Sequence, residues 1–250
     1  GPDNGSSSAR RPCLCVVTPA RLPDDESRRL SALAAQQVQD SPPEPEFDAL
    51  VRVASEVLGT PISLISLVDA DRQWFKANQG LEGATQTERD LAFCAHAILQ
   101  DRLLEVTDAA QDPRFADNPL VTGAPGIRFY AGAPLRLSDG SRVGTLCVID
   151  REPRQLSDAQ REVLRLLSVA AVRALEGRRA LLEERRLREE AATAAEYQAR
   201  SEARFRALSA ASPLGVFATD PQGACTYTNA RWQAIYGMTL PESLGDGWAS

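Results

Sequence analysis

The chain has 250 residues, room for one large or two smaller domains, and a hydrophobic content of 43% that suffices for a buried core. A formal net charge of -6, few aromatics and no basic run argue against nucleic acid as a partner. No apolar run approaches the roughly 20 residues of a membrane span, and no signal-peptide core follows Gly1–Arg11. Five cysteines, an odd and scattered set, give no disulfide framework and suit a reducing, cytoplasmic setting.

Residues 1–25 are rich in Gly, Ser, Pro, Asp and Arg and read as a disordered tail. Cys13 and Cys15 lie in it, without further metal ligands nearby. Ser27 to Val38 predicts a short helix with Leu30, Leu33 and Ala34 on one side, broken by Pro42, Pro43 and Pro45. Phe47, Leu50, Val51, Ala54 and Leu58 then recur at helical spacing, and Gly59 stops that helix. Pro61 opens a strand whose alternation places Ile62, Leu64 and Val68 on one face, and Gln73 to Ala77 returns as its hairpin partner. Asp90 is expected to cap a helix containing Phe93 to Leu99. A short strand, Leu103 to Val106, leads into a polar segment, Asp108 to Thr122. Phe129 to Leu137 and Arg142 to Ile149 form a hairpin around Asp139-Gly140.

From Ser157 the pattern is helical to about Ala207, with Ser157 and Gln160 at capping-box spacing. Leu164, Leu167, Ala171, Ala174 and Leu181 make an approximate heptad. Glu and Arg pairs such as Glu184 with Arg188 follow at i,i+4, each adding about 0.2–0.5 kcal/mol. A helix of this length has no use inside one small domain; a parallel homodimer through residues 157–204 is its expected purpose.

Four segments carry a family resemblance: Leu91-Ala-Phe-Cys-Ala-His-Ala-Ile98, Asp112-Pro-Arg-Phe-Ala-Asp-Asn-Pro119, Arg128-Phe-Tyr-Ala-Gly-Ala-Pro134 and Gly144-Thr-Leu-Cys-Val-Ile-Asp150. In this order they closely resemble the GAF domain of bacterial signalling proteins, over roughly residues 26–175. Phe205 to Asp220, with Gly223, Asn229 and Tyr236-Gly237, resembles the start of a PAS domain, too short here to close its own core. The resemblance implies an α+β fold, a GAF-type antiparallel sheet flanked by helices, then a connecting helix over 176–204 and a partial PAS fold over 205–250.

By the same resemblance, Asp108 to Arg128 lids a pocket above the sheet. Phe93, Cys94, His96, Arg114, Asn118, Arg128, Tyr130 and Cys147 are the pocket candidates. An arginine among Arg89, Arg114 and Arg128 could grip a carboxylate or phosphate bidentately; the competing reading pairs Arg114 with Asp108 or Asp112 and leaves Asn118 capping turns. Cys94 and His96 are read first as core residues, with a metal site or a redox pair of Cys94 and Cys147 as alternatives. No bilin is expected, since chromophore-bearing relatives place His directly after Cys and Ala95 intervenes here. The lid motif of cyclic-nucleotide-binding members is absent, and Trp74 and Phe75 are read as core.

No phosphate loop, nucleophile elbow or phospho-accepting histidine is found, so no catalysis is expected within these residues. The expected role is a cytoplasmic sensory segment that relays a small-molecule or redox signal to an output domain beyond Ser250. By resemblance that domain is a histidine kinase or a cyclic-di-GMP enzyme. The alternatives are a ligand-free dimerisation module and, further off, a thiol redox enzyme. The cofactor, if there is one, is left unnamed.

Overall fold

The computed structural model describes residues 18–245. Cys13 and Cys15, and most of the expected tail, lie outside them. Of the tail residues described, Ala20 is half-buried against the core. The chain divides into two compact units, with the boundary between Leu182 and Glu183.

In the first unit α1 (Glu26–Ala35) and α2 (Pro45–Leu58) precede β1 (Ile62–Val68) and β2 (Arg72–Gln79). A proline in the first turn starts α2, and Gly59 ends it in the left-handed conformation that residues bearing a Cβ adopt only at a cost. Then come β3 (Gln86–Glu88), a 3-10 turn (Arg89–Leu91), α3 (Phe93–Ala97), β4 (Leu104–Val106), α4 (Pro119–Thr122), β5 (Phe129–Arg136), β6 (Arg142–Asp150) and α5 (Asp158–Ala211). The six strands form one antiparallel sheet in the order β3-β2-β1-β6-β5-β4, giving the α+β fold that the sequence implies.

Two apolar layers sandwich the sheet. Leu33 of α1, Phe47, Val51 and Leu58 of α2, and Leu164, Ala171 and Leu175 of α5 cover one face. Phe93, Cys94, Ala97 and the lid residues Phe115, Val121 and Ile127 cover the other. Ile62, Leu64 and Val68 do share the second face, while Ile65 and Leu67 are equally buried on the first. A strand covered on both sides favours apolar residues on both faces, which explains why five of the seven residues of Ile-Ser-Leu-Ile-Ser-Leu-Val are apolar and all seven are buried. A bulge opposite Ile65 and Ser66 turns β2, so that Trp74 and Ala77 share the helical face. The residue it displaces, Lys76, is wholly buried and donates to Ser41 Oγ, the Pro42 carbonyl and Glu44 Oε1 at 2.6–2.8 Å.

Three sequence expectations need correction. The first helix spans Glu26–Ala35, because Gln36 and Gln37 leave the helix, Gln37 with a positive φ of 50°. Asp90 caps nothing: it sits inside the 3-10 turn, and Ala92 occupies the N-cap of α3. Most important, the first turns of the expected dimer seam are not free. Leu164, Ala171 and Leu175 are fully buried against the chain's own sheet. The capping box at the start of α5 does form, with Ser157 N–H donating to Gln160 Oε1 at 3.0 Å and Gln160 N–H to Ser157 Oγ at 3.3 Å.

In the second unit β7 (Phe217–Thr219) and β8 (Cys225–Thr228) pair across a turn at Asp220–Gly223, where Asp220 Oδ1 accepts from Gln222 and Ala224. Helices α6 (Ala230–Tyr236) and α7 (Leu240–Ser243) follow. Asn229 caps α6 and also donates to the carbonyls of Ser209 and Leu214. Among the described residues no helix is long and apolar enough to cross a membrane.

Candidate functional site

Helix α3 is only five residues long, and it lies over the middle of the sheet. It carries Phe93, Cys94 and His96. Phe93 stacks on Phe115 of the lid with ring centroids 4.0 Å apart, and its other side meets Tyr130 at 5.2 Å. Beside these rings is a cavity of about 40 Å³ lined chiefly by Leu64, Phe75, Phe93, Leu120, Ile127 and Tyr130, with Cys94, Gln73 and Thr87 also on its wall.

Cys94 is the centre of a small polar cluster in this apolar layer. Its sulfur accepts from Thr145 Oγ1 at 3.0 Å and from Tyr130 Oη at 3.3 Å. The Cys147 thiol and the Ser66 hydroxyl are near enough to favour its charged form as well. Burial alone would raise the Cys94 pKa, but these neighbours outweigh it and bring the thiol down to about 7. Cys147 is pushed the other way, first by its interaction with Cys94 and then by burial. Tyr130 is likewise raised, by burial and by the neighbouring sulfurs, and therefore stays a donor.

Gly132 makes this geometry possible. It follows Tyr130 by two residues on the same face of β5, and a Cβ there would stand 2.1 Å from Tyr130 Oη. The absent side chain lets the tyrosine lie along its own strand and reach the sulfur.

The charged candidates are elsewhere. Arg114 is held by Asp112 through two bonds of 2.9 and 2.6 Å, with its guanidinium 5.0 Å from the Phe115 ring centre. Arg128 is held in the same way by Asp108, at 2.7 and 2.8 Å. Arg89 pairs with Glu26 at 2.6 Å. None of the three lines the cavity, and each already has its carboxylate.

His96 is half-buried, with its ring edge on Phe115 at 4.8 Å and a hydrogen bond to the Thr18 backbone. Burial lowers its pKa, the Arg114 charge lowers it further, and Thr18 and Asp112 oppose. It therefore fastens the lid and the N-terminal segment to α3. Among the described residues no cluster of three or more His, Cys, Asp or Glu side chains is placed to hold a metal ion.

Asn118 is a lid fastener. Its Oδ1 accepts from the Leu120 N–H and its Nδ2 donates to the Leu91 carbonyl, both at 2.9 Å. Asn118→Ala removes the α4 cap and leaves a buried carbonyl unpaired. It should cost about 1–2 kcal/mol in chemical denaturation and make the 108–128 segment a preferred site of limited proteolysis.

The sequence pointed to Phe93, Cys94, Tyr130 and Cys147, and the structure brings these four together. It missed Thr145, Ser66, Gln73 and Thr87, which supply the polar partners and the cavity wall. The one available signal was periodicity: Gln73 shares a strand face with Phe75, and Thr145 shares one with Cys147.

A curated relative, the cyclic di-GMP phosphodiesterase PA2567 of Pseudomonas aeruginosa, is 48% identical over 139 residues. The match covers 56% of this chain and 23% of that protein. Among solved structures, the blue-light absorbing form of the Thermosynechococcus elongatus PixJ GAF domain aligns at 19% identity over 64% of this chain and 95% of that one, with a TM-score of 0.47. The GAF domain of an Acinetobacter phosphoenolpyruvate-protein phosphotransferase aligns at 18% identity over 65% and 97%, with a TM-score of 0.45. The GAF domain family model matches residues 42–175, more than half of the sequence, and the chain belongs to the GAF domain family.

Proposed function

We propose that this chain is the sensory input segment of a longer cytoplasmic bacterial signal-transduction protein. The observation that carries this reading is the match to the Pseudomonas relative: 48% identity over 139 residues, with 77% of that protein's length outside the match. In this reading residues 26–175 sense, 176–204 are the signalling helix, and 205–250 begin a PAS domain. Catalysis belongs to an output module beyond these residues; the relative's name favours a cyclic-di-GMP enzyme over a histidine kinase. A signal at the α3–lid layer favours one arrangement of the lid and helices, and α5 passes that bias on.

The same reading needs a homodimer through α5. Because Leu164, Ala171 and Leu175 face the sheet, the pairing surface is the opposite side of the helix, where Leu166, Val169 and Leu181 are 53%, 46% and 47% exposed. At 3.6 residues per turn these three fall on one face. Native mass spectrometry of the purified chain should show a dimer, and a monomer would overturn the helix relay. Leu166→Cys and Leu181→Cys, tested singly with Cys13 and Cys15 changed to serine, should each cross-link to its own counterpart. An antiparallel pair could bring together only one of these positions, since fifteen residues of helix separate them by about 22 Å.

A ligand-free dimerisation module is the second reading. The small cavity favours it, because about 40 Å³ lies far below the roughly 300–1,000 Å³ of an ordinary ligand pocket.

A further inference from the structure

The cavity and the thiol cluster share a wall, and together they have a composition that packing alone does not require. Cys94 lines the cavity, and so do the residues Gln73 and Thr87, whose Oε1 and Oγ1 are buried without a hydrogen-bond partner. Gln73 is only 5% exposed, so bulk water does not satisfy it. Gln73 and Thr87 stand opposite each other across β2 and β3. A single water requires roughly 10–15 Å³ of such space, so a cavity of about 40 Å³ admits a molecule of about three heavy atoms at most. Hydrogen peroxide, with two heavy atoms, fits within this space beside Cys94.

We propose that Cys94 and Cys147 are a peroxide-responsive dithiol switch, with hydrogen peroxide entering this cavity as the oxidant. The proposal names the signal within the sensory reading and rests on that reading for its downstream effect. The chemistry balances in two steps. The Cys94 sulfur attacks one peroxide oxygen and the O–O bond breaks; that oxygen stays on sulfur as a sulfenic acid, and the other leaves as water with the thiol's proton. The Cys147 sulfur then attacks the Cys94 sulfur, the S–O bond breaks and a second water leaves. The two sulfurs supply the two electrons that reduce the peroxide, and a disulfide remains.

The surroundings divide the two roles. Donation from Thr145 and Tyr130 favours the thiolate of Cys94, the attacking form. Cys147, with its thiol pushed up by Cys94 and by burial, is the resolving partner and does not line the cavity. A disulfide requires its sulfurs at about 2.05 Å, closer than two thiols in contact. Forming it must draw the short helix α3 toward β6. Phe93 adjoins Cys94 and stacks on Phe115, so the lid moves with α3. Strand β6, which carries Cys147, leads directly to the start of α5.

The test is peptide mapping of the purified chain after stoichiometric hydrogen peroxide and alkylation of the remaining thiols. A Cys94–Cys147 linked peptide, absent after dithiothreitol, is the expected result. Cys147→Ser should instead leave Cys94 as a sulfenic acid that dimedone captures. Tyr130→Phe should slow the oxidation about tenfold, the effect of raising a thiol by roughly one pH unit. Both thiols remaining alkylatable under conditions that oxidise free cysteine would overturn the proposal, as would Cys94 oxidation that never links to Cys147 in the unmodified chain. Hydrogen exchange of residues 158–182 separates the two claims. A linked peptide with unchanged exchange would preserve the dithiol chemistry and remove its use as a signal. A small molecule bound in native mass spectrometry, with no linked peptide, would do the reverse.

Discussion

Glu26→Ala should lower the free energy of unfolding by about 3–5 kcal/mol, a large part of the roughly 5–15 kcal/mol that holds a typical domain together. Glu26 Oε1 is shared by Arg29 Nη2 at 2.7 Å and Arg89 Nη1 at 2.6 Å, and the two arginine side chains are only 1% and 7% exposed. Arg29 also donates to the Val68 carbonyl at 2.6 Å, and Arg89 to the Asp69 carbonyl at 2.8 Å. One carboxylate thus lets α1 lie against the end of β1 with two guanidiniums out of water. Without it, carbonyls remain as partners but no counter-charge does.

The same carboxylate predicts an acid response. Burial by itself would raise the Glu26 pKa, but the hydrogen bonds and charges of Arg29 and Arg89 bring it from 4.5 to about 2. The unfolded chain therefore takes up the proton more readily than the folded one. The stabilisation is complete above about pH 4.5 and is lost as the pH falls toward 2. That interval corresponds to about 3 kcal/mol at 1.36 kcal/mol per pH unit. Urea titrations between pH 7 and pH 2 should show the unmodified chain and the alanine variant converging in acid. Two curves that stay parallel would mean that the ion pairs contribute nothing to folding.

Local signals made much of this fold legible. The apolar spacing of α2 and its closing Gly59, the Asp139-Gly140 hairpin and the Ser157–Gln160 box all act within a few residues of themselves. The corrections share a different cause. Asp90 has the chemistry of a cap, but the strand before it delivers the chain into a 3-10 turn, and the cap position falls on Ala92. Leu164, Ala171 and Leu175 have a spacing equally suited to a sheet or to a second helix, and spacing carries no label for which surface they meet. Nothing local marks Arg29 and Lys76 as buried, since carbonyls and side chains of other elements receive them: the Val68 carbonyl beside Glu26 for one, Ser41, Pro42 and Glu44 for the other. At the site the pattern ran the same way. The aromatic and thiol members were visible in one short motif each, whereas Thr145, Gln73 and Thr87 acquire a role only when the strands come together.

Gly144→Ala should be at least as damaging as the loss of Glu26, for a reason of space alone. Gly144 faces Leu67 across the central pair β1–β6. A Cβ there would stand 1.9 Å from the Ser66 carbonyl oxygen and 2.9 Å from Leu67 Cα. Both obstacles are backbone, so no rotamer change relieves them; the two innermost strands must part. Typical overpacking costs about 1–3 kcal/mol, and a clash against paired backbone belongs at or above the top of that range. The effect should also reach the thiols, since Ser66 is the residue that must yield and Thr145, a donor to Cys94, follows Gly144 directly. Denaturation should therefore show a loss of about 3 kcal/mol or more, and folded Gly144→Ala protein should alkylate at Cys94 faster than the parent. Full stability in this variant would show that β1 and β6 are not held at the spacing on which the whole cluster depends.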